Sequence, residues 1–190
     1  MRIDSQELLR QFAIGKRNFK DASLADINLQ GAYLSGIDLS GADLRRANLR
    51  GATLSGANLN GANLRSSNLA GASLFESVLS SANLNQANLS EANLIEADLS
   101  GASLMRANLQ DANLDMASLA EADLQNANLQ GTRLCGASLW KASLRGADLR
   151  GADLCDTNLC EANLYDATLE ATDMSECFLT GATLPASTHP

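Results

Sequence analysis

Apolar residues return at every fifth position along almost the whole chain, a spacing that fits neither a helix nor a simple strand. From Arg17 to Ala186 the chain superposes on itself at a shift of five without insertion or deletion, giving 34 units over 170 of 190 residues. The middle residue is Leu in 32 units, with Phe19 and Met174 the exceptions, and the residue two places earlier is Ala in 25. Asn, Asp, Ser or Thr stands between them in nearly all units, so each reads A-(N/D)-L-x-x. On a helix a step of five lands about 140° further round, which would scatter the leucines over the whole surface. An extended chain that turns a corner every five residues instead points Ala and Leu to the same side. Four corners close a square, so a coil takes 20 residues and stacked coils pair their backbones as a parallel ladder. Leucines then fill the interior in layers and alanines fit where two walls meet. About 8.5 coils at roughly 4.8 Å each predict a rod about 40 Å long. Glycine agrees with the corners: 13 of 14 glycines, Gly31 through Gly181, fall in the last position of a unit, where a turn with positive φ tolerates glycine best.

The repeated A-(N/D)-L-x-x resembles the pentapeptide-repeat proteins over about nine tenths of the chain. That resemblance implies an all-β fold, a right-handed quadrilateral parallel β-helix. The run LLRQFAIGKRNF resembles the entry segment of cyanobacterial members. Ahead of the repeats, residues 4–15 (DSQELLRQFAIG) predict a short capping α-helix. Asp4 is the N-cap, Glu7 stands at capping-box spacing, and Gly15 lies just past the end. Leu8, Leu9, Phe12 and Ala13 are expected to form one apolar stripe that plugs the first coil over Phe19 and Leu24. The expected division is therefore 1–16 capping helix, 17–186 β-helix and 187–190 tail. No second amphipathic helix follows Leu184, so the last coil is expected to be blunted by Pro185 or covered by a second molecule in a tail-to-tail homodimer.

Aromatics make up only 4% of residues, as a tube too narrow for a ring in every layer requires. The formal net charge of −8 argues against a nucleic-acid or anionic-membrane binder. No ten-residue stretch is free of polar side chains, so neither a transmembrane helix nor a signal segment is expected, and the chain is placed in the cytoplasm. The four cysteines contain no C-x-x-C pair and the single histidine is His189, so no metal and no other cofactor is expected. No catalytic triad or phosphate loop is visible, and a filled convex rod leaves no small-molecule substrate site. Charge is unevenly spread: residues 1–70 carry 9 basic against 6 acidic side chains, 71–130 carry 1 against 8, and 131–190 carry 4 against 8.

Residues 20 apart should stack, which sorts the surface into four ladders. One holds Asn28, Asn48, Asn68, Asn88, Asn108 and Asn128, then Asp148, a structural stack of amides. Another sets Phe75 below Ile95, and Trp140 lies on the neighbouring face to Cys135 and Cys155, above Cys160. The candidate protein-contact surface is Phe75, Ile95, Asp98, Asp115 and Trp140, centred between Phe75 and Asp123. Cys135 and Cys155 fall at equivalent outward positions about 5 Å apart, which permits a disulfide, whereas a reducing cytosol argues for free thiols. Cys177 takes an inward alanine position. Arg145 is expected beside Tyr165, Arg150 beside Glu170, and Arg133 beside Asp153.

The leading expectation is a non-enzymatic module that presents a rigid surface to a protein partner which the sequence does not identify. The alternative comes from the resemblance, because some members of the family mimic acidic duplex DNA and inhibit DNA gyrase. Those members commonly carry interrupting loops and a C-terminal dimerising helix, which this chain lacks, and a DNA mimic should be acidic along its whole length.

Overall fold

The structure, a computed structural model, describes residues 3–186; the tail expected over 187–190 lies outside them. Among the described residues there is one helix, α1, which spans Ser5–Ala13. The Asp4 side chain caps it by accepting the Glu7 N–H at 2.9 Å. The capping box does not close, because the Glu7 carboxylate turns instead to Arg10 at 2.7 Å and to Gln11. At the other end Gly15 takes φ +97°. Its N–H bonds the Phe12 carbonyl while the Lys16 N–H reaches the Gln11 carbonyl, both at 3.0 Å, which is the paired closure of a Schellman end. The apolar stripe is narrower than expected. Leu8 is fully buried in the same cluster as Phe19 and Leu24, with Ile3 and Phe12 packed against it, while Leu9 and Ala13 face solvent.

From Asn18 onward the chain forms parallel bridges at a constant offset of 20 residues, from Asn18↔Asp38 to Asn163↔Thr183. Each bridge is a single residue rather than a strand, because the flat part of a wall is only the three residues between successive turns. The coil through residue 104 shows the recurring bonds. Leu104 N–H donates to the Asp123 carbonyl at 2.7 Å, Arg106 N–H to Gln125 at 3.0 Å, and Asp123 N–H back to Ala102 at 2.9 Å. Between successive walls the chain turns, with Ala107 N–H donating to the Leu104 carbonyl at 3.0 Å. The third residue of every turn from Asp21 to Gly181 except Glu176 is left-handed. All 13 repeat glycines adopt it, and so do 19 other residues at φ between 53° and 63°.

One donor in each unit remains, the N–H just after the middle leucine. The side chain two residues before it supplies the acceptor: Asn58 Oδ1 takes the Asn60 N–H, and Asn128 Oδ1 takes the Gln130 N–H, each at 3.1 Å. That is why the second position of the unit favours Asn and Asp. Every middle leucine from Leu24 to Leu164 is at most 1% exposed, and each such burial stabilises by about 1.5–3 kcal/mol before entropy is counted. The layering loosens in the last coil, where Leu169, Met174 and Leu179 are half-buried and Leu184 is 48% exposed.

Candidate functional site

With the register fixed, the outside of the rod divides into four walls, each designated by its first bridged residue: Asn18, Ser23, Asn28 and Tyr33. The proposed contact residues fall on two adjacent walls. Phe75, Ile95 and Asp115 occupy successive rungs of one column on the Tyr33 wall, followed by Cys135 and Cys155. Asp98 and Trp140 lie round the corner on the Asn18 wall, two rungs apart.

Phe75 and Ile95 are half-buried rather than fully exposed. Trp140 is half-buried as well, with the Lys141 ammonium 4.2 Å from its ring centre. Both proposed carboxylates already serve the fold. Asp98 Oδ1 accepts the Ser100 N–H at 2.9 Å. Asp115 Oδ1 takes the Cys135 N–H at 3.1 Å, which Arg133 in the usual acceptor position cannot take, and its other oxygen binds Arg133 at 2.6 Å. Arg133 therefore reaches to Asp115 rather than to Asp153, and Arg150 pairs with Asp148 at 2.7 Å rather than with Glu170. Arg145 does lie over Tyr165, 5.3 Å from the ring centre.

The cysteines are free. The Cys155 thiol donates to the Glu176 carboxylate at 3.3 Å. Hydrogen bonding with Cys135, then Glu176 and burial, pushes its pKa up to about 12. Cys177 points inward, its sulfur 3.2 Å from the Leu154 carbonyl, and burial raises its pKa. Among the described residues no three His, Cys, Asp or Glu side chains converge on a point that could hold a metal, and no helix is long and apolar enough to cross a membrane.

The turn corners carry what the sequence reading passed over. Met116, Glu76 and Glu96 follow Asp115, Phe75 and Ile95 directly, and all three project into solvent, Met116 with 65% of its surface exposed. A long side chain where other units hold glycine was the available signal. Charge is sorted as well. The Tyr33 wall holds Glu76, Glu96, Asp115, Asp153, Asp156, Asp173 and Glu176 against Arg133 alone. The opposite Ser23 wall holds five arginines against four carboxylates.

Known proteins give the same outline. The family model described as Pentapeptide repeats matches residues 18–56, 42–80, 72–111, 102–140 and 141–184. Among solved structures the chain is similar to HetL of the cyanobacterium Nostoc sp. strain PCC 7120, a pentapeptide repeat protein involved in heterocyst differentiation regulation. The two are 36% identical, with 97% of this chain and 94% of that one covered and a TM-score of 0.55. Rfr23 from the cyanobacterium Cyanothece 51142 is 28% identical, with 96% and 95% covered and a TM-score of 0.27. QnrB1, a plasmid-mediated fluoroquinolone resistance protein, is 22% identical, with 88% and 84% covered and a TM-score of 0.42. No curated protein matches the chain in sequence. The 20-residue register, the leucine-filled interior and the family match over 18–184 make this chain a member of the pentapeptide repeat family.

Proposed function

We propose that this protein is a non-enzymatic interaction module: a right-handed rod of about 8.5 coils, plugged at its N-terminal end by α1, that offers flat walls to a protein partner in the cytoplasm. The observation that supports this most is the sorting of charge between opposite walls of a rod whose interior is closed by leucine. Pairing needs alone do not call for seven carboxylates against one arginine on a single wall, whereas a surface that selects a partner gains from one sign of charge. The likeness to HetL, whose own description is regulatory, agrees with this reading. Chemical crosslinking in extract of the source organism tests it. A protein joined to the rod in fixed proportion is expected, and recovery of the rod alone would overturn the reading.

Two narrower readings accompany it. The exposed Leu184 and half-buried Met174 and Leu179 of the last described coil favour a tail-to-tail pair. Light scattering should then give twice the chain mass, and a monomer at high concentration would dismiss the pair. The arginines of the Ser23 wall weigh against a duplex-DNA mimic, whose acidic surface should run round the rod. Purified gyrase should accordingly keep its supercoiling activity at micromolar protein.

A further inference from the structure

Charged residues at corresponding corners of neighbouring coils stack one rung apart, about 4.8 Å. In two places neighbours of opposite sign pair: Arg46 with Asp26 at 2.6 Å, and Lys141, which stands between Glu121 and Glu161, with Glu161 at 3.5 Å. Glu76 and Glu96 on the Tyr33 wall have no such counter-charge beside them. Both are exposed, they stand one rung apart, and among the described residues neither has an ion-pair partner. The arginine of that wall, Arg133, is held by Asp115. Two unpaired carboxylates this close repel each other, and a cation from outside would relieve both.

Beside them runs an apolar strip. Phe75 and Ile95 stack in the adjoining column and Met116 follows at the corner, 65% exposed. Glu91 and Asp111 on the Asn28 wall offer the contrast. They too are stacked acids, but their neighbours are Ser90 and Gln110, and Gln110 donates to Asp111 at 3.2 Å. Asp156 and Glu176, further along the Tyr33 wall, stack beside Cys155 and Ser175, so of these three corner pairs Glu76 and Glu96 alone border an apolar strip.

The geometry points to a basic amphipathic helix of a protein partner as the occupant of this strip, lying along the rod axis across Phe75, Ile95 and Met116 with Lys or Arg side chains against Glu76 and Glu96. The helical form follows from spacing. A helix returns the same face every 5.4 Å or so, and the rungs rise about 4.8 Å each, so over two steps the two stay in register to within about 1.2 Å. The inference rests on the interaction-module reading and adds the wall and the chemistry of the partner.

A synthetic helical peptide of about 18 residues, with one leucine stripe flanked by lysines, is a direct probe. Its binding is followed by fluorescence anisotropy. Glu76→Lys with Glu96→Lys should weaken binding at least tenfold, and Met116→Lys about fivefold. Glu91→Lys with Asp111→Lys, the same charge change on the Asn28 wall, should cost less than threefold. Thermal melts check that each variant keeps its fold, and all five positions are exposed corners that leave the core untouched. Equal weakening by the two reversals would show attraction to net charge alone and overturn the proposal. So would equal binding of a peptide with Glu in place of Lys, or no binding by the wild type. Crosslinking in source extract separates this from the broader reading. A partner that stays joined to the Glu76→Lys, Glu96→Lys variant keeps the interaction module and removes this wall from it; a partner lost from that variant but kept by the Asn28-wall control supports the assignment.

Discussion

Ser67 and Ser77 occupy equivalent inward positions two units apart, yet Ser77 Oγ donates to the Leu74 carbonyl at 2.6 Å, while Ser67 Oγ is buried without a hydrogen-bond partner among the described residues. Elsewhere the inward polar residues reach across a coil, as Thr132 does to the Leu109 carbonyl at 2.9 Å and Thr157 to Leu134 at 2.8 Å. An unbonded buried hydroxyl costs about 1–3 kcal/mol. Ser67→Ala, which restores the commonest residue of this position, should therefore stabilise the rod by about 1 kcal/mol in chemical denaturation. Ser77→Ala should destabilise it by a similar amount. Equal effects of the two substitutions would contradict the assignment.

Corner geometry gives a second prediction. Gly61 sits at φ +62° with open space where a Cβ would stand, so Gly61→Ala tests backbone strain free of any clash. The left-handed conformation costs a residue with a Cβ about 1 kcal/mol. Gly61→Ala should lower stability by that amount, and Gln86→Gly, at φ +61°, should raise it by somewhat less, because glycine also loosens the unfolded chain. Thermal unfolding of both variants measures the pair; a neutral Gly61→Ala would mean the corners carry no strain.

The repeat made the coil legible because a period of five leaves one closed arrangement for Leu and Ala, and Leu24 through Leu164 fill it. Glycine marked the corners for the same reason, yet it understated them: Glu76, Arg106 and Met116 take the same left-handed turn that glycine adopts more readily. The surface was less legible. Stacking order follows from arithmetic, and so Phe75 and Ile95 could be set in one column, where Asp115 also falls, but partner choice among exposed side chains does not. Arg133 selects Asp115 over Asp153 because Asp115 is already oriented by its bond to the Cys135 N–H. Helix α1 shows the same limit: the position of Glu7 suits a capping box, and Arg10 and Gln11 win its carboxylate.

Thiol chemistry supplies a third test. Only the thiolate is nucleophilic, and Cys155 is held in the thiol form by Cys135 first and by Glu176 next, with a pKa of about 12. Iodoacetamide at pH 8 should leave Cys155 largely unmodified, and Cys135→Ala should speed its alkylation by an order of magnitude or so. For the same reason oxidised glutathione at neutral pH should join Cys135 to Cys155 only slowly, and Glu176→Gln should hasten the bond. Mass spectrometry of the intact chain reads both reactions. Rapid loss of two hydrogens from the wild type would refute the expectation.

Acid should weaken the rod through carboxylates held in charged form. Arg150 beside Asp148, helped by Gln130, lowers the Asp148 pKa to about 2, and Arg10 with Gln11 does the same for Glu7. Asp43 is lowered by Arg45, and Asp38 by Ser40. A carboxylate whose folded pKa lies below its unfolded value of about 4 stabilises the folded state at every pH above that value. The contribution fades as pH falls from about 4 to about 2 and is gone below both. Stability should thus be flat from pH 7 to about pH 5 with respect to these groups and decline through that window. Asp148→Asn isolates one member. Asparagine continues the ladder from Asn128 and keeps an oxygen for the Arg150 N–H, which Asp148 accepts at 3.2 Å, so the turn survives while the charge is lost. The variant should be less stable than the wild type at pH 7, and the two unfolding curves should converge as pH approaches 2. A gap that persists undiminished at pH 2 would mean that the substitution acts through packing and not through the ion pair with Arg150.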